Sequence, residues 1–151
     1  MLSHEFLLLP NWKMDQVSSM SPWNDQDALS IDDRLILYII DTLKFLPTIN
    51  PTKPADRAGF GLNYHGLTVI DRSGVSKASR IFRHWAGLLE EGPPDLELTG
   101  GFEWTEGGDP DDGRYVVWKA RRDPLVADLR KLEELARGAE SGEAFLLHRG
   151  I

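Results

Sequence analysis

From Val75 to Leu89 the chain sets Val75, Ala78, Ile81, Phe82, Trp85, Leu88 and Leu89 at intervals of three and four residues, which brings them onto one face of an α-helix. A helix with a single apolar face cannot stand alone, so this segment requires a sheet or further helices to cover it. Asp71-Arg72-Ser73 supplies its cap and Gly92-Pro93-Pro94 its stop, bounding the helix at about residue 91.

Two more helices follow from the same logic. Ser30-Ile31-Asp32-Asp33 has capping-box form and predicts a helix over about 31–45, with Leu35, Ile36, Ile39, Ile40, Leu43 and Leu46 at helical spacing. Pro47, Pro51 and Pro54 end it and stiffen the connector 47–57. Asp123-Pro124 reads as an N-cap followed by proline at the first helical position, opening a helix that points Leu125, Leu129, Leu132, Leu135 and Ala136 inward.

Extended chain is predicted near the beginning, at Phe6-Leu7-Leu8-Leu9, and over 59–70, where glycines mark a bend. Residues 96–105 and 114–120 read as hairpin arms with a bulge at Gly100-Gly101, and 144–148 as a strand. Residues 11–28 read as irregular. The resulting order predicts an α+β single domain over 1–151, with a mixed or antiparallel sheet and about three helices packed on one face. Within it, 1–29 is an irregular leading segment that includes the first strand.

A net charge of −7 repels phosphate backbones, so nucleic acid is not expected as a partner. The absence of cysteine removes disulfides and thiolate metal sites and fits a reducing compartment. Glu5 and Pro10 bracket only four apolar residues, too few for a signal peptide or a bilayer span. A cytoplasmic protein with no membrane partner is expected.

No phosphate-loop lysine motif, Gly-x-Ser-x-Gly elbow or His-Glu-x-x-His helix occurs in the chain. Gly59-Phe60-Gly61 with Gly66 does not lead from a strand into a helix as a dinucleotide fingerprint must. The four histidines His4, His65, His84 and His148 lack zinc-like spacing and read as structural or exposed. The expectation is a non-enzymatic protein with no catalytic residue, no metal and no cofactor.

The acidic loop Glu106-Gly107-Gly108-Asp109-Pro110-Asp111-Asp112-Gly113 lies between two tryptophan-bearing strands. It reads as a solvated turn, a weak cation site or an edge that meets a basic partner. In the third reading the contacts are Glu103, Trp104, Glu106, Asp109, Asp111, Asp112 and Trp118, because aromatic anchors dominate interface energy. The alternative is a small-ligand or regulatory domain with a pocket around Asn63, Tyr64 and His65. A hydrolase using His65 and an aspartate is a third option.

Gly61-Leu62-Asn63-Tyr64-His65-Gly66-Leu67-Thr68-Val69-Ile70, the helix bearing Trp85, and Phe145-Leu146-Leu147-His148-Arg149-Gly150-Ile151 together resemble small bacterial immunity proteins of polymorphic or contact-dependent toxin systems. The likeness covers about residues 30–151. It implies a non-enzymatic inhibitor that covers a cognate toxin domain, for which an acidic surface suits a basic cleft. No catalytic or contact residues carry over from the resemblance. A homo-oligomer stays open.

Overall fold

The computed structural model describes residues 2–19, 27–53 and 59–151, and of residue 110 the backbone only. Met20, Ser21-Pro22-Trp23 and Pro54 lie outside the described residues. The strands and α-helices are β1 (Ser3–Pro10), β2 (Leu29–Asp32), α1 (Asp33–Leu43), β3 (Pro47–Thr48), β4 (Gly59–Phe60), β5 (Leu67–Ile70), α2 (Val75–Glu90), β6 (Asp95–Glu103), β7 (Arg114–Arg121), α3 (Arg122–Gly138) and β8 (Ala144–Arg149).

The main sheet runs β2-β1-β8-β5 with every neighbouring pair antiparallel. An isolated bridge between Ile49 and Val69 continues it beyond β5. β1 and β8 pair from Glu5 opposite Arg149 to Pro10 opposite Ala144, which makes them the central strands. This is a single α+β domain with antiparallel sheets and its α-helices on one face of the main sheet.

Strand alternation decides which side chains meet the helices. Phe6, Ile31, Ile70 and Leu146 join Leu35, Ile39, Phe82, Leu129 and Leu132 in the main core. The opposite face carries Leu9, Val69, Phe145 and Leu147, covered by Val17 and Met14 from a run of 3-10 turns over Asn11–Ser19. The segment read as irregular thus has a defined job: it caps the second face of the sheet. Each fully buried Leu, Ile or Phe contributes roughly 1.5–3 kcal/mol of transfer free energy.

Three helix starts differ from expectation. At α2 the N-cap is Gly74 with no side-chain cap bond, because the Asp71 carboxylate is taken by the Ser73 amide and hydroxyl. α1 begins at Asp33, and Ser30 and Ile31 belong to β2 instead. The cap is Asp32, whose side chain accepts the Arg34 amide at 2.9 Å. β2 pairs with β1 through Asp32, so the sheet claims those residues before the helix can. α3 begins at Arg122 with Arg121 as its N-cap, placing Asp123 and Pro124 inside the first turn. Proline fits there because first-turn amides have no intrahelical partner to lose.

Candidate functional site

β6 and β7 form a sheet of their own, an arm rooted in the core and extending to the acidic turn. At its base Leu98 pairs with Trp118 and Leu96 with Ala120; all four face inward, joining the core or packing on it. The register then slips between Thr99, opposite Val117, and Phe102, opposite Tyr115. Two residues, Gly100 and Gly101, thus stand against the single Val116.

That bulge has a consequence for side-chain direction. A strand alternates faces with period two, so one extra residue inverts everything beyond it. Phe102 would share the inward face of Leu96 and Leu98 in a regular strand. After the bulge it lies with Tyr115 and Val117 on the outer face.

The outer face is therefore apolar and wet. Phe102 is 43% exposed, Trp104 56%, Tyr115 63% and Val117 57%. The rings touch one another: Phe102 lies 5.2 Å from Tyr115 in an edge-on arrangement and 6.0 Å from Trp104.

Around this patch stand the exposed carboxylates Glu103, Glu106, Asp109, Asp111 and Asp112. Nearer the base, Glu97 pairs with Lys119 and Asp95 with Arg121, each at 3.3 Å. Among the described residues, none of the five distal carboxylates has such an ion pair. Local bonds hold the turn open: Gly108 donates to the Thr105 carbonyl at 2.8 Å, and Asp109 accepts the Asp111 amide at 3.0 Å. Gly107 takes a φ of +79°, which only glycine adopts freely.

Trp118 behaves differently from the other expected contacts. It is 8% exposed, packed in the core, with the Arg34 guanidinium 5.1 Å above its ring. Arg34 also pairs with Asp32 at 2.6 Å, and that hydrogen bond holds the Asp32 carboxyl below its usual range. Beneath the arm, Leu37 and Tyr38 of α1 face Val116, Trp118 and Glu103 across a cavity of about 610 Å³.

Asn63, Tyr64 and His65 do not converge on one pocket. The Asn63 amide donates to the Thr68 hydroxyl at 2.7 Å, and Asn63 lines a cavity of about 150 Å³ with Thr48, Phe60 and Thr68. The Tyr64 hydroxyl donates to Asp33 Oδ1. His65 is exposed and lies edge-on to Tyr64 at 4.8 Å.

Tyr64 leads into a polar chain within the core. Asp33, in the first turn of α1 where the helix dipole favours a carboxylate, faces His4 Nε2 at 3.0 Å. His4 Nδ1 meets His148 Nε2 at 2.8 Å, and His148 Nδ1 lies 3.4 Å from the Thr68 hydroxyl. Both imidazoles are fully buried. Burial, and then the neighbouring His4, push His148 down to about 3. Burial and the bond to Asp33 push Tyr64 up to about 12.

A base held that low is a poor acceptor for a hydroxyl proton at neutral pH, and Thr68 is itself buried. Proton counting says more about the chain. The N···N contact needs one bare nitrogen, so the pair holds at most three ring protons, which is one positive charge.

From sequence the four histidines read as structural or exposed, and their spacing does not announce the partnership of His4 with His148. One signal was present: His4 shares strand parity with Phe6 and Leu8, and His148 with Leu146. A polar residue at an inward strand position needs a buried partner.

Among the described residues, no three metal-ligating side chains are grouped to hold an ion, and no helix is long and apolar enough to cross a membrane. In comparisons with family models, curated proteins and solved structures, none matches this chain.

Proposed function

We propose that this domain is a non-enzymatic binding protein that grips a cationic protein partner with the distal half of the β6–β7 arm. One observation carries the reading: an exposed aromatic patch, turned outward by the bulge, is rimmed by carboxylates that form no ion pair among the described residues. Desolvated aromatic anchors supply the energy of most interfaces, and rim charge supplies steering and partner choice. A second copy of the chain is disfavoured, because the same five carboxylates would face one another.

The resemblance to immunity proteins names the partner class, a toxin domain with a basic cleft. On this reading the acidic turn occupies positions that substrate phosphates would take, and the rings pack beside the cleft. The absence of cysteine suits action in the cytoplasm. The small-ligand reading has less behind it, because the cavity at Asn63 is about 150 Å³ and ligand sites commonly span about 300–1,000 Å³.

The test takes the basic domain that affinity capture from the native host is expected to return and titrates it isothermally at two salt concentrations. Replacing Asp109, Asp111 and Asp112 together by lysine is expected to weaken binding at least tenfold and to flatten its salt dependence. Equal affinity and an equal salt slope would remove the arm from the interface.

A further inference from the structure

The buried polar chain does more than fill space, because two of the bonds that hold the 62–66 turn end on it. The Asn63 amide donates to Thr68 and the Tyr64 hydroxyl to Asp33. The turn in turn holds Gly150 and Ile151: the Gly150 amide donates to the Gly66 carbonyl at 2.9 Å, and the Ile151 amide to the Tyr64 carbonyl at 3.1 Å. The approach at Gly150 is so close that an added Cβ would lie 2.0 Å from the Tyr64 carbonyl oxygen.

We infer that Asp33, His4, His148 and Thr68 form an acid-sensitive clasp, which holds the 62–66 turn and residues 150–151 against the sheet and lets them go when both imidazoles are protonated. The geometry sets this limit. With one added proton, His4 is an imidazolium facing the Asp33 carboxylate, and its Nδ1–H still donates to His148 Nε2. A second proton turns both facing nitrogens into N–H donors at 2.8 Å. The bond becomes a collision of like charges in a site that is fully buried.

Among the described residues, no other charge around the pair relieves that second proton. Around the pair, β1 offers Phe6, tilted 4.9 Å from His148, and α2 offers Phe82 behind it. Glu5 and Arg149 lie on the other face of their strands and pair with each other. On the turn, Tyr64 is committed to Asp33, and His65 stands outside, exposed. α1 offers Asp33 alone, since Asp32 is taken by Arg34. The relief we infer is to let water reach His148 by way of the turn whose Asn63 amide bonds Thr68. Asn63 and Thr68 also line the 150 Å³ cavity, so an open turn enlarges it.

Amide hydrogen exchange, corrected for its intrinsic pH dependence, tests the clasp on the intact chain between pH 7.5 and 4.5. The opening equilibrium at Gly150 and Ile151 is expected to rise by up to tenfold per pH unit below about 6, while Leu146 and Leu147 keep their protection. In His148→Gln the rise disappears. Tyr64→Phe serves as a second variant that leaves both imidazoles in place; it is expected to open Gly150 and Ile151 at neutral pH. Exchange at Gly150 and Ile151 that tracks Leu147 at every pH would overturn the inference. So would an undiminished acid response in His148→Gln, or full neutral-pH protection in Tyr64→Phe.

Discussion

His4 Nδ1 and His148 Nε2 face each other at 2.8 Å, although 144 positions separate them in the chain. Adjacent central strands bring them together, and Asp33 completes the line at 3.0 Å. A fully buried contact that needs one bare nitrogen couples the fold to pH.

The direction of that coupling follows from the proton count. His148 sits near 3 in the folded protein because burial, then His4, disfavours its charge; an unfolded histidine titrates near its ordinary 6.5. Between those values the unfolded chain binds the extra proton. The stability it contributes is complete above pH 6.5 and is lost as pH falls toward 3, by at most about 1.4 kcal/mol per pH unit. Urea midpoints measured at pH 7 and pH 5 should show this loss, smaller in His148→Gln. Identical midpoints in the wild-type protein would contradict it.

Tyr64 titrates in the opposite range. Burial and the Asp33 carboxylate disfavour its phenolate, so a tyrosine ionising near 12 is expected in an ultraviolet titration. Its folded value lies above the ordinary 10, so its contribution is whole below pH 10 and is lost as pH rises toward 12. Tyr64→Phe should delete that step. A step that persists in the variant belongs to another residue.

Two glycines give a paired prediction. An alanine Cβ at Gly150 would meet the Tyr64 carbonyl, so Gly150→Ala is expected to cost about 1–3 kcal/mol. At Gly101 an added Cβ has nothing within 4 Å and no positive φ opposes it. Gly101→Ala should be neutral or stabilising by up to about 1 kcal/mol. Thermal melts of the two variants distinguish them, and a reversed order would contradict the packing.

Aromatic residues divide in the same way. Phe82 is fully buried and meets Phe6 edge-on at 6.4 Å, so Phe82→Ala should lower stability by about 3–5 kcal/mol. Trp104→Ala, on the exposed arm, should change it by no more than about 0.5 kcal/mol. Chemical denaturation measures both, and a large loss in Trp104→Ala would mean that the arm is packed.

Much of the architecture could be read from the chain because it rests on local periodicity. The face of α2 apart from Leu88, the inward leucines of α3 and the Gly100-Gly101 bulge each follow from residues close in sequence. Leu88, expected on the inward face, is 61% exposed because it lies at the edge of that face in the last turn of the helix. β2 escaped notice because four residues, Leu29–Asp32, carry too little alternation to outweigh a capping signal. The acidic turn and its neighbouring rings were visible as a surface. That Trp118 points inward while Phe102 points outward depends on register across the bulge, which only the pairing fixes. The histidine pair depends on strand order, which local pattern does not encode.

The arm is tested most directly by one comparison of affinities. Phe102→Ala/Trp104→Ala and the wild-type protein, shown by melting to be equally stable, are titrated against the proposed partner, a toxin domain with a basic cleft. Loss of the two rings should weaken binding about a hundredfold or more, as removal of central aromatic anchors does elsewhere. Undiminished affinity in the double variant would contradict the account of the arm as the docking surface.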